Sequence, residues 1–395
     1  MARPDKKSLR ILYIHGTVAP PYKDATRNPF FWLSENLEGE VLQRVWWSDP
    51  SSIIKRFGEG SYPSHQVGRF RFHWLLTKQG KQGALAWWRM VRFFLRNGRR
   101  LHRERPFDCI VTYSHMTTGV CGAILKRLLG IPLIVQVVTS PEHVGFADSN
   151  RRRFRDYLQQ AWSDFCLHCS LLSADRAHLL APQLLKHYPR LRQIPASVFH
   201  NFVPASKIPD GDPGESSTVL LVGAPWRLKG ADLLIKAFLR LSADYPEARL
   251  QLVGHYPDMD ALQALAGGSE KVTILKAVPN AKALEMISNA AVLVLPSRCE
   301  GMGRVLLEAM NAGIPVVGSD VGGIPHIIRH GENGFLFPSE DAEALEAELR
   351  KLLADPELRR HMGKVGQARA AQEFTEKRYV EYFTEMVEAT VRGVR

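Results

Sequence analysis

No apolar run in this 395-residue chain comes near the ~20 residues that a membrane-spanning helix needs; the longest candidates, such as Leu133-Ile134-Val135-Gln136-Val137-Val138, have the length of a strand. Near the start, Ile11-Leu12-Tyr13-Ile14 is too short for the core of a secretion signal and reads as a first strand. Cysteine is scarce and odd in number, five in all, which points to reduced thiols and a cytoplasmic setting rather than a disulfide framework. Cys166 and Cys169 form a C-x-x-C with no second pair at metal-ligand spacing. The stretch Cys166–Ser170 reads as part of a buried strand with small apolar cysteines, so no zinc site is expected. Aspartates spaced D-x-D at a strand end, the usual cradle for Mg²⁺, are also missing, and no metal or cofactor is expected.

What is present is an ordinary globular composition, 45% apolar, in a chain long enough for two or three domains. Its net charge of +12 is unevenly spread. Residues 1–200 carry 30 Lys and Arg against 14 Asp and Glu, whereas residues 201–395 carry 22 against 26. A basic half of this kind suits an anionic partner such as acidic phospholipid, nucleic acid or a phosphorylated acceptor.

The basic residues concentrate between Arg69 and Arg105. There Arg89, Arg92, Arg96, Arg99, Arg100 and Arg103 recur at helical spacing, with Trp87, Met90, Val91, Phe94 and Leu101 on the other face. Asn97-Gly98 is expected to break or bend this helix. Two readings stand. One is peripheral contact with an anionic membrane through residues 69–105, with Trp and Phe inward and Arg on lipid phosphates. The other is a core helix with a solvated arginine face. The run Arg151-Arg152-Arg153-Phe154-Arg155 reads as a solvated face or an acceptor-phosphate contact.

Along the chain, Arg10–Ile14 reads as a strand and His15–Tyr22 as the loop after it, leading to a helix near Asn28–Leu37. Further strands are expected at Val41–Trp46, Phe107–Tyr113, Ile131–Val138 and Phe165–Ser170, with helices at Thr117–Leu129 and Ala174–His187. The Pro/Gly/Ser-rich stretch 204–217 reads as a linker. Beyond it, strands at Thr218–Val222, Arg249–Val253, Val272–Leu275 and Ala291–Leu295 alternate with helices, the signature of a doubly wound parallel sheet. Helices at Asp341–Leu353 and Phe374–Ala389 close the chain.

Within this second half, Glu300 and Glu308 stand with seven residues between them, Glu300 on a strand-to-helix loop and Glu308 in the helix. Gly301-Met302-Gly303-Arg304 lets backbone approach a ligand and points the N–H groups of a helix start at an anion. Carboxylates repel phosphate but accept well from sugar and ribose hydroxyls. Such a site suits a nucleotide-sugar. The loop Gly223–Gly230, with Lys229 where the next helix begins, is a second phosphate-binding candidate.

These residues, with Glu308-Ala309-Met310-Asn311-Ala312-Gly313-Ile314-Pro315, Gly322-Gly323-Ile324-Pro325 and Gly331-Glu332-Asn333-Gly334, resemble the E-x7-E signature region of the family 4 glycosyltransferases. The resemblance implies a GT-B architecture, two doubly wound Rossmann-like α/β domains facing across a cleft. The expected division is 1–203 for an acceptor-side domain, 204–217 for the linker, 218–372 for the nucleotide-sugar domain, and 373–395 for a helix crossing back.

The resemblance further implies a retaining transferase that uses an NDP-sugar as co-substrate, with a sugar or lipid-linked acceptor and no nucleic acid partner, at the cytoplasmic side of a membrane. Lys229 and Arg227 would hold the leaving diphosphate, Glu300 the sugar and Glu308 the ribose, with Gly301, Met302, Gly303, Arg304, Gly223, Gly16 and Val278 lining the donor. The chain departs from the family pattern in several places. Ala224 stands where the family loop has arginine, so Arg227 is the replacement candidate; Gly16 is the only glycine of the first loop; and Val138 occupies the position of a family histidine, with Thr139 beside it and His143 a few residues on. Two rival functions share this pattern: a nucleotide-sugar 2-epimerase, which would isomerise its donor without acceptor, and a non-catalytic sugar- or membrane-binding relative.

Overall fold

Short β-branched and leucine-rich runs, each followed by a helical period, fold here into two sheets. The structure is a computed structural model and describes residues 8–18, 28–45, 50–60, 62–77, 84–114, 116–137, 154–182, 185, 193–256 and 258–394. The chain divides into two compact units, one made of Met1–Pro141, Tyr157–Phe199 and Glu376–Arg395, the other of Glu142–Asp156 and His200–Thr375. Val138, Thr139, His143 and Arg151–Arg153 lie outside the described residues.

The first unit contains β1 (Leu9–Val18), α1 (Pro29–Leu33), β2 (Leu37–Val45), α2 (Pro50–Phe57), β3 (Ser64–Val67), β4 (Phe70–Leu76), α3 (Ala84–Glu104), β5 (Cys109–Tyr113), α4 (Thr117–Leu129) and β6 (Leu133–Val137). After them come α5 (Phe154–Ser173), β7 (Arg176–Leu179) and β8 (Ala196–Val198). Its eight strands lie in the order β3-β4-β2-β1-β5-β6-β7-β8, parallel except for the β3–β4 hairpin at one edge. Leu12, Ile14, Ile110, Leu133 and Val135 form the strand side of a core that Phe94 of α3 and Leu125 of α4 complete. The last helix of the chain, Glu376–Val394, belongs to this unit, where Thr390 Oγ1 accepts from Arg176 Nε at 3.0 Å and Tyr379 meets the ring of Phe199.

Several expectations are corrected in this unit. β1 runs on to Val18 with an irregularity between His15 and Thr17, so Gly16 lies in a strand and not in a loop. α3 passes without a break through Asn97-Gly98. Gly98 is buried, and a Cβ there would lie 2.9 Å from a Leu125 methyl, so glycine serves close packing of the helix, not its end. Met90, Val91, Phe94 and Leu101 are at most 6% exposed, which makes that face core and rules it out as a membrane-inserting surface. Phe165–Ser170 is helical, within α5, and Arg176–Leu179 is a strand where a helix was expected.

The second unit alternates as its sequence suggests. It holds β9 (Thr218–Val222), α6 (Ala231–Leu241), β10 (Arg249–Gly254), α7 (Met259–Ala266), β11 (Val272–Lys276), α8 (Asn280–Ser288), β12 (Val292–Leu295), α9 (Arg304–Asn311), β13 (Val316–Ser319), α10 (Ile324–Ile327) and β14 (Gly334–Phe337). It ends with α11 (Ala342–Ala354) and α12 (Pro356–Glu373), the latter a helix that the sequence reading missed; the C-terminal helix of the first unit is therefore α13. All six strands are parallel, in the order β11-β10-β9-β12-β13-β14. Strands β9, β12 and β13 are covered on both faces, which is why they read as continuous apolar runs.

Residues 210–216 are fastened to this unit. Gly211 N donates to Ala312 O at 2.8 Å, and the buried Arg359 guanidinium donates to the carbonyls of Pro213, Gly214, Ser216, Leu352 and Leu353. Charge-assisted bonds to carbonyls are strong, and with Arg359 itself buried its replacement takes one donor group from five carbonyls at once. Arg359→Leu is expected to lower the unfolding free energy by roughly 2–4 kcal/mol in urea titration. A loss under half a kilocalorie would show that the bonds are replaced on substitution.

Candidate active site

In a parallel sheet the loops after the strands converge at the carboxyl edge, and ligands bind there. Three such loops of the second unit meet: Gly223–Gly230 after β9, Pro296–Gly303 after β12 and Asp320–Gly323 after β13. They approach backbone to backbone. Gly230 has φ +70°, and a Cβ on it would lie 1.9 Å from Pro296 O; Gly322 has φ +56°, and a Cβ on it would lie 1.7 Å from Glu300 O. Only glycine satisfies both the left-handed backbone and the missing space. Arg298 N donates to Leu228 O at 2.9 Å and Ser319 Oγ to Ser297 O at 2.6 Å, closing the junction from both sides.

Within this junction Lys229 and Glu300 form an ion pair at 2.5 Å, with side chains only 17% and 10% exposed. Ser297 Oγ donates to the same carboxylate oxygen at 3.3 Å, and Gly301 N to the other at 3.2 Å. Glu300 is thus held in one orientation by three donors from two loops. Gly223 backs the aliphatic stem of Lys229, its Cβ direction pointing at Lys229 Cγ 3.2 Å away. The sequence-predicted residues Gly223, Lys229, Glu300 and Gly301 are therefore neighbours.

Arg298 was given no role by the sequence and proves central. Its guanidinium takes both carboxylate oxygens of Asp232 at 2.8 Å, bonds Glu340, and donates to Arg227 O. The hydrogen bonds to Asp232 raise its pKa still further above the usual arginine value, and burial opposes them without winning. Arg298 thus ties the end of one loop to the helix that begins after the other. A usable signal was its position beside Ser297 and Glu300, but a single arginine cannot be assigned to a distant aspartate without the fold.

Helix α9 opens at Gly303, which has φ +77° and supplies no capping side chain, and Leu306 N donates to Gly303 O at 2.9 Å; the positive end of the helix faces the junction. Arg304 at its start is exposed, and Glu308 is half-buried one turn on. Met302 is buried. Arg227 stays on the β9 loop, its guanidinium carbon 4.8 Å above the ring of Trp226. Val278 lies between β11 and α8, half-buried, and Gly16 lies in the other unit. Close by Gly16, at the carboxyl end of β1, His15 stacks on Tyr113 at 4.4 Å, and desolvation lowers its pKa to about 4, which keeps the imidazole neutral at physiological pH.

Two Rossmann-like parallel sheets of eight and six strands, with this loop junction in the second, define a GT-B glycosyltransferase fold. Solved structures agree: sucrose-phosphate synthase from Thermosynechococcus elongatus is similar over 96% of this chain and 98% of that one, with a TM-score of 0.76 at 19% identity. Anabaena HepE in complex with UDP-glucose covers 96% and 100% of the two chains, with a TM-score of 0.69 at 16% identity. In sequence, the family model for "Glycosyl transferases group 1" matches residues 205–369. Alpha-maltose-1-phosphate synthase of Mycolicibacterium smegmatis is 32% identical over 305 residues, 67% of this chain and 75% of that protein. Against curated relatives the chain spans from 22% to 75% of their lengths. The chain belongs to the group 1 glycosyltransferases, the family 4 enzymes, which transfer a sugar from a nucleotide-sugar.

Arg298 gives the site its own test. Arg298→Met removes the brace without altering Lys229 or Glu300, and is expected to cost about 1–3 kcal/mol of stability and to raise the donor KM. Calorimetry and donor titration read the two effects. An unchanged KM in a destabilised variant would mean that the brace serves folding alone.

Proposed function

We propose that this chain is a retaining glycosyltransferase that moves a sugar from an NDP-sugar to a lipid-linked or polysaccharide acceptor at the cytoplasmic face of a membrane. The observation that carries the donor half of this reading is the Lys229–Glu300 pair, placed in one loop junction with the start of α9, where Gly303 supplies no capping side chain. An arriving diphosphate competes with Glu300 for the Lys229 ammonium and is met by the N–H groups of α9. Glu300, relieved of its cation but still held by Ser297 and Gly301, can accept from a sugar hydroxyl. As the bond from the anomeric carbon to the phosphate oxygen breaks, the electron pair leaves with the diphosphate, and Lys229 with Arg227 stabilises the growing charge. The acceptor oxygen forms the new bond to the anomeric carbon from the same face, and its proton passes to the departing diphosphate oxygen. Support for a nucleotide donor comes from HepE, of the same fold, solved in complex with UDP-glucose.

The roles of the two glutamates separate in kinetics. Glu308→Gln, which exchanges one acceptor oxygen for a donor on the ribose side, is expected to weaken donor binding by roughly 1–3 kcal/mol. Glu300→Gln is expected to act chiefly on kcat. Unchanged kinetics in both variants would remove these residues from the site.

Arg227 as the replacement for the arginine missing at Ala224 predicts a second pattern. Arg227→Ala raises the donor KM and lowers kcat, and Ala224→Arg in that background restores activity. Full activity of Arg227→Ala overturns the assignment, and so does a dead enzyme with no rescue.

A further inference from the structure

Helix α5 buries Leu171 and packs Leu167 against the core, yet it carries a second row of apolar side chains on its outer side. Ser163, Cys166 and Ser170 on one side are buried, with Ser170 packed so closely on Gly119 of α4 that a Cβ there would lie 2.7 Å from Ser170 Cβ. Four large apolar residues face out: Leu158 is 56% exposed, Trp162 42%, Phe165 55% and Leu172 70%. Their spacing of four, three and seven keeps them on one helical stripe. A monomer ordinarily leaves single apolar residues exposed, not an ordered row.

The stripe continues onto its neighbours. The ring of Trp162 stacks beside Phe165 at 5.6 Å and meets Trp87 of α3 edge-on at 5.9 Å, and Trp87 meets the exposed Trp88 at 5.0 Å. Between the two helices α4 adds the exposed Ile124 and Leu128. From Trp88 a groove of about 880 Å³ runs along α3, floored by Val91 and Leu95, closed by Leu128 and lined by Arg92, Arg96, Arg99, Arg100 and Arg103. Among the described residues only Arg100 of these has an ion pair, with Glu104; Arg92, Arg96, Arg99 and Arg103 have none.

We infer that the α3–α4–α5 face of the first unit is a membrane-interface surface in which Leu158, Trp162, Phe165 and Leu172 enter the headgroup and acyl boundary while the α3 arginines bind anionic phospholipid. The inference rests on the membrane half of the proposed function and moves the inserting residues from the α3 core face to α5. Charge complementarity selects the occupant. An anionic bilayer offers apolar depth beside phosphate, and tryptophan with an apolar body and a polar N–H suits that boundary. A second copy of the chain would instead bring like-charged arginine rows together.

The test is co-sedimentation with phosphatidylcholine vesicles with and without phosphatidylglycerol at low and high salt, with tryptophan emission read in parallel. Wild type is compared with Trp162→Ser/Phe165→Ser and with Arg92→Glu/Arg96→Glu, and a UDP-induced rise in Tm checks that each variant is folded. Wild type is expected to bind the anionic vesicles with a blue shift in emission, and each double variant to bind about tenfold more weakly. Salt should weaken the wild type and the α5 variant, the latter more completely.

If the α5 variant binds as wild type while the α3 variant does not, the inserting surface is wrong and the membrane reading stands. If wild type binds no vesicle yet transfers sugar to a soluble acceptor, both fall and the donor reading survives. Sedimentation equilibrium showing a dimer that the α5 substitutions dissociate, without vesicle binding, overturns the inference in favour of self-association.

Discussion

The second unit's site depends on how near three pieces of backbone come to one another. Where Gly230 faces Pro296 and Gly322 faces Glu300, no Cβ fits, and the contacts are between main chains. That nearness lets Ser297 and Gly301 donate to a carboxylate whose partner lysine comes from another loop. Two charges this sheltered carry a desolvation cost that good geometry must offset, and fixed backbone supplies the geometry. Arg298 then holds the arrangement from behind through Asp232 and Glu340, at the opposite end of the same loops. Chemistry at Lys229 and Glu300 is therefore a property of the junction, not of either residue.

This explains what was legible in advance. The glutamate spacing, the glycines beside it and the lysine at a helix start are local patterns with a local physical meaning, and they pointed to loops that the fold brings together. The strands of the second unit were legible because β9, β12 and β13 are buried on both faces and so spell continuous apolar runs. Arg298 was not legible, because its partners lie 66 and 42 residues away in sequence. Nor was the contact of Gly322 with Glu300, which only the adjacency of β12 and β13 creates.

In the first unit one misreading came from the assumption that apolar means buried. Phe165–Ser170 looked like a strand because its apolar residues seemed to need an interior. In the helix Phe165 is exposed, while Cys166 and Ser170 are buried and Leu167 packs against the core. For α3 the sequence allowed a membrane face or a core face, and the core reading holds, since the sheet covers Met90, Val91 and Phe94. Phe70–Trp74 alternates buried and exposed side chains as an antiparallel or edge strand should, a period-two signal obscured by its arginine and histidine.

Charge follows a similar division of labour. The arginines of the second unit are largely spent on structure: Arg298 on Asp232, Arg350 on Asp244 and Glu346, Arg360 on Asp212 and Glu357, Arg369 on Glu373. Such pairing needs acids, and residues 201–395 hold 26 of them against 22 bases. The first 200 residues have 14 acids for 30 bases, so their arginines cannot all be paired within the half that carries them. Four of the unpaired ones stand in one row on α3, beside the aromatic stripe of α3 and α5. Solvation alone would favour scattering them over the surface, since like charges in a row repel. Their alignment next to exposed tryptophan, with no ion pair among the described residues, is what an external anionic surface would compensate.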